Sequence, residues 1–324
     1  MKNILVYCEA AEGKAKNVGL EILTPARVAA NGGEVIAVLI GKDLAEAAKQ
    51  VIAFGADKAV VVDGDQYAVY NTDVYANALV ELVKKYDAKA VFVGATNDGK
   101  DLAPKAAARF NSGVVTNVTG VALDGDKIVY TSPVYAGGIL NDDVCESEIE
   151  FALLRSGAFK KAEADTAKAG EVIAEAIECP ADAIKTKVAD VVKEISSTVN
   201  LEEAEIIVAG GRGLGCAENF AVLQELADAL GGVIGATRAP IEAGWIDRSY
   251  QIGQSGKNVA PKLYFACGIS GATQHVAGIT GADFIVAINK DEDASIFDIA
   301  DIGIVGNLLE VVPVLTEEVK KFKA

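Results

Sequence analysis

The sequence predicts an α/β protein of two domains, each built on a mostly parallel sheet with helices on both faces. Short apolar runs rich in Val and Ile alternate with helix-length amphipathic segments, the pattern of strands buried on both sides and joined by crossover helices. The alternation occurs twice, on either side of the polar stretch Ser196-Ser197-Thr198-Val199-Asn200. A length of 324 residues with 51% apolar content suits more than one core. The domains are accordingly placed at 1–197 and 198–324.

In the first domain, strands are expected at Ile4–Cys8, Val35–Ile40, Ala59–Val62 and Ala90–Val93. Helices are expected near Asn17–Ala30, Leu44–Phe54, Val74–Tyr86 and Leu102–Phe110. After Gly113 the long helices stop. Val114–Ala122, Lys127–Thr131, Glu148–Leu154 and Lys185–Ile195 read as strands that either extend the sheet with antiparallel members or form a small subsheet. Ala158–Ala174, rich in Ala, Lys and Glu, reads as an exposed loop or short helix.

The second domain repeats the architecture without a detectable sequence repeat. Strands are expected at Ile206–Ala209, Val233–Ala236, Leu263–Ala266, Phe284–Asn289 and Ile302–Val305. Helices are expected at Glu218–Leu230, Ala272–Gly278 and Glu317–Lys323.

Composition excludes several classes of function. A net charge of −16 argues against nucleic acid and against an anionic membrane surface, because both need clustered Lys and Arg. No apolar run approaches the roughly 20 residues that span a bilayer, so no membrane insertion is expected. The opening residues read as a first strand rather than a leader, and a cytoplasmic location is expected. Five scattered cysteines without Cys-x-x-Cys fit reduced thiols better than a disulfide framework or a metal cluster. One histidine leaves little material for a Ser-His-Asp triad or a multi-histidine metal site. No nucleophile–base pair is evident, so neither catalytic residues nor a metal site is assigned.

The residues that could carry chemistry lie in turns after the second domain's strands. Gly210-Gly211-Arg212-Gly213-Leu214-Gly215 follows the first strand. Such a turn suits a pyrophosphate or is simply tight, and its spacing is not Gly-x-Gly-x-x-Gly. Arg212 could fork onto phosphate. Thr237-Arg238 follows the next strand, with Arg238 either a surface ion-pair residue or a fixed charge beside a ligand. Trp245, the lone tryptophan, reads as a packing or interface residue before a stacking partner. Gly253-Gln254-Ser255-Gly256-Lys257 and Gly268-Ile269-Ser270-Gly271-Ala272-Thr273-Gln274-His275 flank one apolar strand. Their glycines allow a bound group to approach the backbone, and their polar side chains supply hydrogen bonds. Gly94–Lys100 in the first domain is a weaker candidate for phosphate.

Together these segments, with Ala287-Ile288-Asn289-Lys290-Asp291 and Gly303-Ile304-Val305, resemble the α subunit of electron transfer flavoprotein in order and spacing. The resemblance implies FAD held non-covalently in the second domain. It puts Arg212 near the pyrophosphate, and Thr237 and Arg238 beside the cofactor. Ser255, with Gln254 and the adjoining Ile252 and Gly253, is placed near flavin N5. Ser270, Gly271, Ala272, Thr273, Gln274 and His275 pass along the other side, with His275 donating to the flavin N1/C2 edge. Asn289 reaches the adenosine half, and Asn307 stands where some members have Asp. Ser255 replaces a common Thr, and Thr237 a common Ser; both keep the hydroxyl. His275 and Arg238 would stabilise negative charge on a one-electron-reduced ring.

The resemblance further implies an electron carrier that works as a heterodimer with a β subunit, which packs on the first domain and holds a second FAD or AMP. The C-terminal domain is expected to swing about Ser196–Leu201. Acyl-CoA dehydrogenase is the expected electron partner. A bifurcating version would also engage NADH and ferredoxin through the β subunit. An NAD-dependent α/β oxidoreductase and a cofactor-free nucleotide-binding assembly module are the alternatives.

Overall fold

The computed structural model describes residues 1–189 and 201–323. The chain divides into two compact units, Met1–Val192 and Lys193–Ala324.

The N-terminal unit opens with β1 (Ile4–Tyr7) and a two-rung hairpin, β2 (Ala10–Ala11) and β3 (Lys14–Ala15). Then follow α1 (Asn17–Ala30), β4 (Val35–Gly41), α2 (Ala45–Ala53), β5 (Lys58–Asp63), α3 (Thr72–Lys85), β6 (Ala90–Gly94) and α4 (Asn97–Ala108). The later elements are β7 (Val114–Val118), β8 (Gly120–Asp124), β9 (Lys127–Val134), β10 (Ile139–Val144), β11 (Glu150–Leu154) and β12 (Glu171–Ala174). Seven strands form one sheet in the order β12-β5-β4-β1-β6-β11-β7. Every pairing in it is parallel. Its five inner strands are apolar on both faces because a separate cluster covers each face: Ile22, Leu23 and Val51 on one, Leu79, Val83 and Leu102 on the other.

The antiparallel strands do not extend that sheet. They form a separate three-stranded sheet, β10-β9-β8. The single strand expected over Val114–Ala122 is therefore two: β7 pairs with β11, and β8 pairs with β9. Asn117, at φ +58°, sits at a register shift near the end of β7, and Thr119 joins the two strands. Within the segment expected to be loop or short helix, Glu171–Ala174 is β12, the edge strand paired with β5.

The strand expected at Lys185–Ile195 is not seen in its described part, 185–189, and the remainder lies outside the described residues. The backbone N–H groups of Lys185 and Thr186, which a strand ladder would use, both donate to the Asp73 carboxylate at 2.7 Å. The helix expected from Leu102 begins earlier, at Asn97, because Thr96 caps it and its hydroxyl accepts from Gly99 N at 2.9 Å.

In the C-terminal unit, β13 (Ile206–Gly210), α5 (Phe220–Leu230), β14 (Val233–Ala236), α6 (Arg238–Glu242) and β15 (Leu263–Cys267) come first. They are followed by α7 (Thr273–Val276), β16 (Ile285–Asn289), β17 (Ile302–Val305) and α8 (Leu308–Lys323). The sheet is parallel throughout, ordered β14-β13-β15-β16-β17. Clusters around Leu223, Leu226 and Val312 on one face, and around Tyr264, Ile269 and Ile296 on the other, make its core. α8 starts well before the expected Glu317, running through Pro313.

From β13 the chain builds one neighbour, β14, then returns to build β15 on the other side. The carboxyl ends of β13 and β15 therefore flank a topological switch point, where the crossovers diverge.

Candidate functional site

At that switch point the turns after β13 and β15 meet backbone to backbone. Gly211 N donates to the Cys267 carbonyl at 2.9 Å, and Gly213 N to the Gly268 carbonyl at 3.0 Å. A Cβ built on Gly211 would sit 2.2 Å from the Gly268 oxygen, and one on Gly213 2.7 Å from the Gly268 Cα. The close approach that these glycines permit is used by the chain's own second turn. The feature left pointing to an anion is Arg212, which is exposed and has no ion-pair partner among the described residues.

A second pair of turns is locked together further along the same edge. Gln254 N donates to the Gln274 carbonyl at 2.8 Å, and Gly256 N closes a turn onto the Gly253 carbonyl at 2.9 Å. Gly271, at φ +92°, lies against the backbone of Ile296, whose N–H donates to the Ser270 carbonyl at 3.0 Å. These backbone ties leave the side chains of Gln254, Ser255, Ser270, Thr273 and Gln274 exposed, with Ala272 among them. Ile252, Gly253 and Gly271 are buried beneath. The result is a polar rim of hydroxyls and amides on an apolar, backbone-lined floor.

His275 is 6% exposed and belongs to that floor. One ring nitrogen, Nδ1, lies 3.0 Å from the Ile252 carbonyl, and the other, Nε2, lies 3.0 Å from the Tyr264 hydroxyl. A carbonyl can only accept, so Nδ1 carries the proton and the Tyr264 hydroxyl donates to Nε2. Burial pushes the imidazole pKa down to about 4, partly opposed by the Ile252 hydrogen bond, and the ring is neutral at pH 7. Both nitrogens are paired within the chain, and the ring braces the two turns.

The remaining expected residues divide. Arg238 forms an exposed ion pair with Glu242 at 2.7 Å. Thr237 sits at the start of α6, half-buried, with its backbone N–H on the Gly210 carbonyl at 3.0 Å. Asn289 uses both ends of its amide internally, donating to the Ile269 carbonyl at 2.9 Å and accepting from Asp291 N at 3.1 Å. Asn307 accepts from Leu309 N at 3.2 Å and donates to Glu310 at 3.1 Å, capping α8. Trp245 is partly buried against the Leu223 cluster, as a packing residue is.

In the N-terminal unit the Gly94–Lys100 turn is already filled. The Thr96 hydroxyl donates to the Glu9 carboxylate, which also pairs with Lys16 at 2.6 Å. A carboxylate in that position disfavours phosphate there.

Two buried polar groups that serve the site went unnoticed in the sequence. Tyr264 is hidden inside an apolar strand run, and Gln251 stands just before Gly253. A lone amide ahead of a glycine turn was the one available signal. Among the described residues, no cluster of His, Cys, Asp and Glu is arranged to hold a metal ion. No described helix is long and apolar enough to cross a membrane.

The family model described as electron transfer flavoprotein domain matches residues 4–179, and that described as electron transfer flavoprotein FAD-binding domain matches residues 200–280. The chain is 45% identical over 326 residues to the electron transfer flavoprotein subunit alpha of Thermoanaerobacterium thermosaccharolyticum, covering 99% of each. It is 44% identical to the Megasphaera elsdenii protein of the same name over 329 residues, 99% of this chain and 97% of that one. It is also 36% identical over 354 residues to the acryloyl-CoA reductase electron transfer subunit beta of Anaerotignum propionicum, covering 99% of this chain and 96% of that one.

Proposed function

The chain belongs to the electron transfer flavoprotein family as an α subunit, and on that premise we propose that it holds one FAD along the carboxyl edge of its five-stranded sheet and passes single electrons to or from an acyl-CoA dehydrogenase. Membership makes it a flavin-binding electron carrier that pairs with a β subunit. The observation that carries the placement is the polar rim over an apolar floor beside a switch point, with Arg212 exposed and free of ion pairs among the described residues.

The residues fit the cofactor. Arg212 would face the pyrophosphate. Thr237, Ser255, Ser270 and Thr273 offer hydroxyls, Gln254 and Gln274 offer amides, and Ile252, Gly253, Gly271 and Ala272 offer flat backbone surface. His275 holds that surface in place. Arg238, Asn289 and Asn307 stand at the margins, the last two toward the adenosine half. FAD, when bound, supplies the one-electron chemistry; the chain binds it, orients it and sets its polar surroundings.

We place the domains at 1–197, packing on the β subunit, and 198–324, carrying FAD, in a cytoplasmic protein. Co-expression with the β subunit should give a yellow heterodimer that releases FAD on denaturation. A colourless heterodimer that takes up no added FAD refutes the reading and favours an assembly module; NADH oxidation without flavin favours an NAD-dependent enzyme. The relative named as an electron transfer subunit of acryloyl-CoA reductase suits an acyl-CoA-linked partner; in the bifurcating version we propose, NADH and ferredoxin are engaged through the β subunit. Two FAD per heterodimer supports that version, whereas one FAD with one AMP counts against it.

A further inference from the structure

Ser255 reaches the open face of the site, yet one side of its hydroxyl is already committed. Gln251, only 6% exposed, donates from Nε2 to the Ser255 Oγ at 2.9 Å. The backbone that carries this amide is fixed. The Gln251 carbonyl accepts from Lys257 N at 2.8 Å, Gln251 N donates to the Arg248 carbonyl at 3.0 Å, and its backbone bridges to Ala236. Gly256 packs so closely that a Cβ there would sit 2.4 Å from the Gln251 oxygen and 3.0 Å from its Cγ. The side chain is held on one side by this turn and ends on the serine.

A serine hydroxyl has one proton and two acceptor lone pairs. With a lone pair of Ser255 filled from beneath by Gln251, its proton is turned outward, and Ser255 meets whatever lies on the rim as a donor. We propose that Gln251 is a positioning residue that fixes the hydrogen-bond polarity of Ser255, so that Ser255 donates to an acceptor atom of the flavin ring. This rests on FAD occupying the site as proposed above. A buried amide suits this role because it is neutral at every working pH and has a donor end that a carboxylate of the same shape lacks.

The test uses the FAD-loaded heterodimer and reads the FAD dissociation constant and the visible flavin absorption band. Ser255→Ala should weaken FAD binding about tenfold, the worth of one hydrogen bond in a dry site, and shift the band. Gln251→Glu keeps the shape but can only accept, so it turns the Ser255 proton inward and should weaken binding by a similar factor of about ten. The double variant should be no worse than Ser255→Ala alone, within about twofold, because both changes remove the same bond. Gln251→Met, which keeps length and apolar packing, guards against misfolding of the glutamate variant and should shift the band in the same direction. Additive losses approaching a hundredfold, or wild-type spectra and affinity in both Gln251 variants, overturn the role of Gln251 while leaving the FAD site intact. A wild-type heterodimer that binds no FAD overturns the underlying reading instead.

Discussion

His275 is the chain's one histidine, so its titration has no histidine background. Buried and neutral, it has a pKa lowered from 6.5 to about 4. The unfolded chain therefore binds the proton more readily than the folded one between those values. The sign follows: His275 favours the folded state above pH 6.5, and that contribution is lost as pH falls toward 4. For these two values, moving from pH 7 to pH 5 costs the C-terminal unit about 2 kcal/mol, and the full window costs about 3 kcal/mol. Glu218 and Asp247, each held below the usual carboxylate range chiefly by backbone N–H donors, act in the same direction as pH falls. The lone tryptophan, Trp245, packs in the same unit and reports its unfolding by fluorescence. Urea titrations of the cofactor-free chain should show the midpoint falling by about 1 M between pH 7 and pH 5. In His275→Gln the midpoint should be lower at pH 7 but nearly flat across the interval. Equal pH slopes in the two proteins would refute the buried neutral histidine.

Asp73→Ala should destabilise the N-terminal unit by about 2 kcal/mol, because it removes the carboxylate that Lys105, Lys185 and Thr186 share. The Lys105 ammonium holds this buried carboxyl well below the usual range, helped by Thr186 and Lys185. Freed of that anchor, the chain at Lys185 and Lys187 should be cut faster by trypsin; an unchanged cleavage rate counts against the clamp. Gly271→Ala should cost at least about 2 kcal/mol, since its Cβ would lie 2.2 Å from the Ile296 nitrogen at φ +92°. Gly215→Ala, at φ +83° with nothing within 4 Å, should cost about 1 kcal/mol. Equal losses would show that strain alone, and not close packing, places glycine at 271.

The parallel sheets were legible because buried strands and crossover helices write distinct periods into the chain. Ile4–Tyr7, Val35–Gly41 and Ile206–Gly210 stand out as apolar runs whatever their neighbours are. β12 and the β7–β8 break were not legible. A four-residue edge strand carries little hydrophobic pattern, and a change of sheet at Thr119 depends on partners outside the segment. Lys185–Thr186 misled for the same reason, since its strand-like composition was overridden by one carboxylate at Asp73.

By itself the sequence determined the strand-end turns, their order, and hence the family and the class of cofactor, because those depend on local residue types in a fixed succession. Only the tertiary structure decided what each side chain in those turns has left to offer. Gly211 and Gly213 are consumed by Gly268, and His275 by Ile252 and Tyr264. Ser255, accepting from Gln251, keeps a proton to give. A hydrogen-bonding group is available to a ligand only after its protein partners are counted, and those partners are set by packing between segments that no local pattern brings together.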